Sequence, residues 1–277
     1  MLNNYFSLGI DLGTSGIRIA IINTKKKILF TSSKAYPQGL EEWEDWINCL
    51  KDLLQSIPTE LKRNLVSCSV AGTSGTLLAC EENGKPMGKA LPYFLACPEY
   101  EYEIKKLCGK ECAGSSISGS VGRALRLIAL NGHKIILRHQ ADWISGWLMN
   151  NWEYGEEGNN IRLGWEISRG SWPKAFYNSN WLKCLPKIIS SGQSMGNICT
   201  KKAAKFNLPK DLNIIAGTTD SNAGVLATFP HKDDGITILG STIVIKKFVN
   251  SPISGKGISN HKLLGNWITG GASNTGA

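Results

Sequence analysis

The segment 11–16, which reads Asp-Leu-Gly-Thr-Ser-Gly, narrows the possible folds of this chain more than any other feature. It lies near the N-terminus between the apolar stretch 5–10 and the segment 17–21, whose isoleucines alternate with other residues as in a strand. Glycines let the backbone approach a phosphate closely with its N–H groups pointing inward, and Thr14 and Ser15 add hydroxyl donors. A plain hairpin turn is the alternative interpretation.

Hydrophobic periodicity predicts that strands dominate the first part of the chain and that helices are mixed in later. This order differs from a regular βαβαβ series and fits an α/β domain with a mixed sheet and flanking helices. The predicted strands are 5–10, 17–21, 28–36, 65–71, 76–80, 212–216 and two within 235–249; the predicted helices are 43–57, 121–130, 137–149 and 218–228; and 151–180 is predicted to be irregular.

Composition favours a globular protein, because 42% of the 277 residues are hydrophobic and 19% are charged. No apolar run approaches the ~20 residues needed to cross a bilayer, and residues 1–7 lack a signal-peptide pattern. The eight cysteines occur singly, without Cys-x-x-Cys spacing, which predicts free thiols in a reducing compartment. We therefore expect a cytoplasmic protein without a membrane partner.

The net charge of +9 is compatible with an anionic partner or with a generally basic surface. The lysines are spread along the chain and form no dense basic stripe interleaved with aromatic residues, so nucleic acid is not the expected partner. The chain also lacks the P-loop and the Gly-x-Gly-x-x-Gly turn.

Two later segments carry residues suited to phosphate chemistry. Segment 216–224 places Asp220 at the predicted start of a helix, where the carboxylate could act as a general base. An ordinary helix N-cap is the alternative interpretation. In segment 239–242, Gly240, Ser241 and Thr242 lie between two strands and could hold a second phosphate, or could form a tight turn only.

The order of these three segments resembles the actin, hexokinase and sugar-kinase superfamily, and within it the FGGY carbohydrate kinases. Segments 70–79, 84–86, 139–143 and 270–276 also resemble FGGY blocks, so the resemblance covers essentially the whole chain. Among subfamilies, the sequence looks closest to the cyanobacterial and plant pentulose kinases, which are similar to xylulose kinases and associated with D-ribulose.

The resemblance implies a ribonuclease H-like (actin-like ATPase) fold, with a first domain at 1–234 and an incomplete second domain at 235–277. It implies ATP-dependent phosphorylation of a ketopentose, D-ribulose or D-xylulose, at its terminal hydroxyl. ATP would bind as its Mg²⁺ complex, and the sugar would be the partner. The implied roles are Asp11 for Mg²⁺ and catalysis, Asp220 for proton acceptance, Gly13, Thr14, Ser15, Gly240, Ser241 and Thr242 for phosphate, and Ser74, Gly75 and Asn222 for sugar.

Two departures from the FGGY pattern leave other functions open. Segment 93–96 reads Tyr-Phe-Leu-Ala where the family has an acidic residue and a nearby arginine, so one polar sugar contact is expected to be missing. The chain is also shorter than family members, which predicts C-terminal truncation. A catalytically inactive sugar-binding protein and a different actin-like ATPase are the alternatives, and the sequence does not fix the oligomeric state.

Overall fold

The computed structural model describes residues 5–109, 112–231, 233–239, 243–255 and 257–273. The strands are β1 (Phe6–Leu12), β2 (Gly16–Asn23), β3 (Ile28–Ala35), β4 (Leu65–Gly72), β5 (Leu77–Cys80), β6 (Ile136–His139), β7 (Tyr154–Glu156), β8 (Lys187–Ile189), β9 (Ser194–Asn197), β10 (Asn213–Thr219), β11 (Gly235–Ile238), β12 (Ile243–Val249), β13 (Ile258–Leu263) and β14 (Asn266–Ser273). The helices are α1 (Trp43–Ser56), α2 (Thr59–Lys62), α3 (Glu101–Leu107), α4 (Ser120–Asn131), α5 (Gln140–Met149), α6 (Glu157–Asn160), α7 (Lys174–Tyr177), α8 (Thr200–Phe206) and α9 (Asp220–Ala227). Short 3₁₀ helices occupy Pro98–Tyr100, Ala113–Ser115, Ile161–Leu163 and Asn180–Lys183.

The first sheet has the strand order β3-β2-β1-β4-β10-β9 in the described residues. β1, β4 and β10 run parallel, whereas β2, β3 and β9 pair antiparallel with their neighbours. Alternate residues of β1 and β2 are buried, as the isoleucine periodicity predicts for half-buried strands. This mixed sheet with flanking helices confirms the predicted α/β architecture.

Helix α1 covers one face of this sheet through a continuous apolar stripe. Trp46, Leu50 and Leu54 are fully buried in the main core together with residues of β1 and β2. Three or four residues separate successive members of the stripe, so they lie on one side of the helix. The sequence pattern therefore predicted both the helix and its buried face.

Strand pairing corrects two predicted helix starts. Residues 137–139 form the end of β6 and not the first turn of a helix, because β6 pairs with β5 and Leu137 lies opposite Ala79. The predicted helix at 218 begins at Asp220, since Thr218 and Thr219 still pair with β4. In both places, tertiary pairing overrides local helical periodicity.

The second sheet has the order β11-β12-β14-β13 and is antiparallel throughout its described strands. Its inner face contributes Ile236, Leu263 and Ile268 to a small core that also holds Val225 of α9. The two strands predicted within 235–249 are confirmed as β11 and β12. β13 and β14 lacked a clear signal in the sequence.

All eight cysteines are free thiols, as predicted. Within the described residues, no helix combines the length and apolar character needed to cross a membrane.

Candidate active site

The carboxyl ends of three neighbouring strands meet at one edge of the first sheet. Leu12 of β1 lies opposite Gly72 of β4, and Thr219 of β10 also pairs with Gly72. The segments that follow these strands therefore lie side by side, namely the loop 13–15, the loop 73–76 and the start of α9. The structure thus brings together three predicted segments from distant parts of the chain.

Asp11 faces Arg18 across the β1–β2 hairpin. The two residues are direct register partners, and Arg18 Nη1 lies 3.4 Å from Asp11 Oδ2. Partial burial raises the pKa of the Asp11 carboxyl, and the Arg18 guanidinium opposes this effect. Arg18 was not among the predicted site residues, although its position opposite Asp11 in a short hairpin could have identified it.

The loop 13–15 is fixed through its backbone and leaves its hydroxyl groups accessible. The Gly13 N–H donates to the Gly16 carbonyl at 2.9 Å, and the Tyr36 N–H donates to the Ser15 carbonyl at 3.0 Å. The side chains of Thr14 and Ser15 are exposed. A rigid loop with free hydroxyl donors is suited to binding phosphate oxygens.

Asp220 is the first residue of α9 and remains exposed to solvent. Its Oδ1 accepts a 2.6 Å hydrogen bond from the Ser221 N–H, which orients the carboxyl group. Desolvation raises the pKa of Asp220, and the negative charge of Asp11 adds to this, whereas Lys246 and Arg162 lower it. The charge of Asp11 therefore reaches the Asp220 carboxyl.

The loop 73–76 is held by buried hydrogen bonds. The Thr73 N–H and hydroxyl donate to Gln140 Oε1 at 3.2 and 2.8 Å, and the Thr73 and Thr76 hydroxyls lie 2.7 Å apart. The half-buried Ser74 makes no side-chain hydrogen bond within the described residues and is free to meet a ligand. Gly75 has φ of 106°, a conformation that favours glycine.

Asn222 is fully buried in α9. Its Nδ2 donates to Thr218 Oγ1 at 3.3 Å, and its Oδ1 accepts a hydrogen bond from the ammonium of Lys246. Because both the nitrogen and the oxygen of the side-chain amide bond within the protein, this geometry does not support the direct sugar contact predicted for Asn222. Gly240, Ser241 and Thr242 lie outside the described residues, so their phosphate contacts stay a prediction.

Comparison with solved structures identifies the fold. Xylulose kinase from Lactobacillus acidophilus superimposes with a TM-score of 0.82 at 14% identity over 98% of this chain. Plasmodium falciparum glycerol kinase, solved with ADP, superimposes with a TM-score of 0.80 at 14% identity over 97% of this chain. The chain has the fold of the carbohydrate kinases. It spans 60% and 61% of the lengths of these two proteins.

The relatives found by sequence comparison are also sugar kinases. Xylulose kinase from Lactococcus lactis is 23% identical over 280 residues, which is 88% of this chain and 53% of that protein. Ribulokinase from Staphylococcus aureus is 22% identical over 302 residues, which is 88% of this chain and 54% of that protein. The chain thus spans about half the length of these curated relatives. No protein-family model matches it.

Arg123 holds the loop 73–76 in place and was not predicted. Its guanidinium is fully buried and has no carboxylate partner among the described residues, and burial lowers its pKa to about 10. It donates to the carbonyls of Gly75, Tyr93 and Leu95 at 3.0, 3.2 and 2.6 Å. Nη2 also donates to the Ser118 carbonyl at 3.2 Å. Arg123 therefore joins three loops, and its only signal in the sequence is a single arginine on an apolar helix face.

Tyr93 occupies the place where the FGGY pattern has a polar sugar contact. Its N–H donates to Thr76 Oγ1 at 3.3 Å, and its hydroxyl lies 3.4 Å from Thr14 Oγ1. Tyr93, whose side chain is half-buried, therefore links the loop 73–76 to the loop 13–15. A hydroxyl group is thus present at this position, although the acidic residue of the family pattern is absent.

The donor set at the strand ends fits a hard cation bound together with phosphate. Asp11 and Asp220 supply two carboxylates, and Mg²⁺ commonly takes one or two carboxylates with waters and substrate phosphates. In the described part of the chain, no three His, Cys, Asp or Glu side chains form a cluster that could hold a metal alone. Any Mg²⁺ here would therefore depend on ligands from the nucleotide.

Proposed function

We propose that this protein is an ATP-dependent kinase of the FGGY family that phosphorylates a ketopentose, D-ribulose or D-xylulose, at its terminal hydroxyl. The observation that carries the proposal is that β1 and β10 both end beside β4, which places Asp11 and Asp220 at the same edge of the first sheet. The exposed hydroxyls of Thr14 and Ser15 lie in the loop directly after β1.

In the proposed reaction, the terminal hydroxyl oxygen of the sugar forms a bond to the terminal phosphorus of ATP. The bond between that phosphorus and the bridging oxygen of ADP breaks, and ADP leaves. The hydroxyl proton passes to Asp220, whose carboxylate is fixed by Ser221 and faces solvent. The products are the sugar phosphate and ADP. Phosphoryl transfer depends mainly on positioning and charge stabilisation, which this rigid site supports.

The phosphate contacts would come from both sides of the site. Asp11 would hold Mg²⁺, which supplies charge neutralisation when it is bound with ATP. The hydroxyls of Thr14 and Ser15 would contact the transferred phosphoryl group, and Gly13, which has no side chain, would let the phosphate approach the loop closely. The segment 240–242 would hold phosphates from the second sheet.

The sugar contacts would come from Ser74 and from the backbone at Gly75. We propose that Asn222 acts indirectly, since its amide is bonded to Thr218 and Lys246. The names of the Lactococcus lactis and Staphylococcus aureus relatives, xylulose kinase and ribulokinase, support a pentulose as substrate. We place this protein nearest the D-ribulose branch, on the sequence blocks 72–79 and 216–222.

We also propose that the domain boundary lies near residue 234, between α9 and β11. The described strands before this point belong to the first sheet or to small two-stranded sheets, and those after it form the second sheet. The site lies where the two parts meet, so closure of the cleft is expected to exclude water during transfer.

The first test is a thermal-shift titration with D-ribulose, D-xylulose, L-ribulose and glycerol, with circular dichroism to confirm folding. We expect a selective rise in melting temperature with one D-pentulose, because a ligand that binds only the native state stabilises it. A folded chain that responds to none of the sugars would contradict the proposal.

The second test is Asp220→Asn, with Asp211→Asn as an exposed control. Coupled measurement of ADP release should show that Asp220→Asn abolishes transfer but keeps the sugar-induced thermal shift, whereas the control retains both. Turnover in Asp220→Asn would remove Asp220 from the role of base. Sugar binding without turnover in the unmodified protein would instead favour a sugar-binding protein, the second candidate that Tyr93 in place of the acidic residue supports.

A further inference from the structure

Lys246 is a buried cation that joins the second sheet to α9. It lies on the inner face of β12 and is only 6% exposed. Its ammonium donates to Asn222 Oδ1, and Asn222 lies two residues after Asp220 in α9. Gly270 of β14 lies beside it in register, and a Cβ there would approach Lys246 Cγ to 2.9 Å. The neighbouring strand therefore leaves room for the lysine stem.

The charged and titratable groups around Lys246 come from three further elements. Asp220 of α9 attracts the ammonium. His261 of β13 has a buried Nδ1 without a hydrogen bond, and the charges of Lys246 and Arg162 both act on it. Arg162 is exposed, its Cδ would be 3.3 Å from a Cβ at Gly75, and it also acts on Asp220. Two cations thus flank one carboxylate at the proposed transfer site.

The hydrogen-bonding capacity of Lys246 exceeds what the protein uses. An ammonium group has three N–H donors, and in the described residues only the bond to Asn222 is formed. No carboxylate lies within ion-pair distance of it in the same part of the chain, although Asp220 is in electrostatic range. Leaving buried ammonium donors unsatisfied is unfavourable, so this position favours a ligand that accepts hydrogen bonds and carries negative charge.

We propose that Lys246 binds the phosphate that the sugar carries after transfer, so that the site recognises a pentulose 5-phosphate more tightly than the free pentulose. This inference rests on the proposed function, because it takes Asp220 as the residue beside the reacting hydroxyl. That hydroxyl oxygen becomes the ester oxygen of the product, which places the phosphate next to Asp220 and within the field of Lys246 and Arg162. Arg162 assists from the sugar side of the site.

A purely structural role for Lys246 makes a different prediction. If the lysine only holds the second sheet against α9, its replacement lowers stability and weakens every ligand alike. A phosphate-binding role removes the preference for the ester and leaves the affinity for the free sugar nearly unchanged. The ratio of the two dissociation constants therefore separates these roles.

The experiment is isothermal titration calorimetry of the whole chain with D-ribulose, D-xylulose, their 5-phosphates and ADP. The variants are Lys246→Met, Lys246→Arg and the control Lys247→Met, whose lysine is adjacent but exposed. We expect the unmodified protein and the control to prefer the ester by about tenfold or more, which is the size expected of one added charge-assisted hydrogen bond. Lys246→Met should lose this preference, and Lys246→Arg should restore part of it.

Three outcomes would overturn the inference and are distinct from failure of the proposed function. If Lys246→Met binds free sugar and keeps the ester preference, Lys246 does not hold the phosphate. If Lys246→Met keeps the ester preference but no longer binds ADP, Lys246 contacts the nucleotide and not the sugar phosphate. If the unmodified protein binds sugar without preferring the ester, the inference fails while the proposed substrate stands. If no sugar or ester binds a folded chain, the proposed function itself fails.

Discussion

Arg123 Nε donates a 3.0 Å hydrogen bond to the carbonyl oxygen of Gly75, the residue at the turn of the loop after β4. The same guanidinium bonds the carbonyls of Tyr93 and Leu95, so one buried cation sets the relative positions of two loops. No carboxylate bonds this guanidinium within the described residues, where its acceptors are backbone carbonyls and the Ser120 hydroxyl. The arrangement of the proposed sugar side therefore depends on Arg123.

We expect Arg123→Met to lower the free energy of unfolding by at least about 2 kcal/mol, because several buried carbonyl groups lose their donor. Arg126→Met is the matched control on the same helix, since Arg126 is partly exposed and pairs with Glu99. The control should lose less than about 1 kcal/mol, as surface ion pairs do. Urea denaturation measures both, and equal losses in the two variants would argue against a central role for Arg123.

Gly75→Ala should weaken the sugar-induced thermal shift and lower stability by about 1–3 kcal/mol. A Cβ at this position would lie 3.0 Å from Arg123 Nη2, and φ of 106° is unfavourable for alanine. Gly88→Ala separates these effects, because Gly88 has φ of 128° with nothing within 4 Å of the added Cβ. If Gly88→Ala also abolishes the sugar response, the contact with Arg123 is not the cause.

Tyr93→Phe should change ligand binding more than stability. Among the described residues, the hydroxyl contacts Thr14 Oγ1 alone, at 3.4 Å, so its removal should cost less than about 1 kcal/mol. The Thr14 side chain would lose this contact with Tyr93, and we expect a higher KM for ATP or sugar. Tyr102→Phe at an exposed position is the control. Unchanged steady-state kinetics in Tyr93→Phe would remove its hydroxyl from the site.

Lys246 should make stability depend on alkaline pH. Burial lowers its pKa to about 8 from an ordinary 10.5. Between pH 8 and 10.5 the unfolded chain holds a proton at this site that the native protein has released, so the contribution of Lys246 to stability rises with pH. Across this window the free energy of unfolding of the unmodified protein should rise relative to that of Lys246→Met, by roughly 3 kcal/mol at most. Chemical denaturation at several pH values tests this, and a constant difference between the two proteins would contradict it.

The sequence predicted the elements whose residues are buried on one face only. The isoleucines of β2 and the apolar stripe of α1 repeat at fixed intervals, because in each case one side of the element meets the core. β6 was not predicted as a strand, because all of its residues are buried and its apolar run also fits a helix. For such segments, the partner strand decides the structure.

The sequence could nominate candidate site segments where a short stretch carries several polar residues in order, as in 11–16, and the structure places these segments together. It could not nominate single charged side chains whose neighbours come from elsewhere in the chain. Arg123 and Lys246 are cations in largely apolar segments, and only the packed structure assigns their acceptors. Asn222 is a different case, because the structure buries its amide and bonds it to Thr218 and Lys246, and its predicted sugar contact stays a prediction.

The parallel placement of β1, β4 and β10 also has a consequence for how the protein is made. Asp11 is synthesised well before the strand that leads to Asp220. Because β10 inserts between β4 and β9, the edge of β4 must stay unpaired until then. A nascent chain would therefore hold the edge of β4 unpaired until β10 has been made, and that edge would be the place most exposed to pairing with other chains.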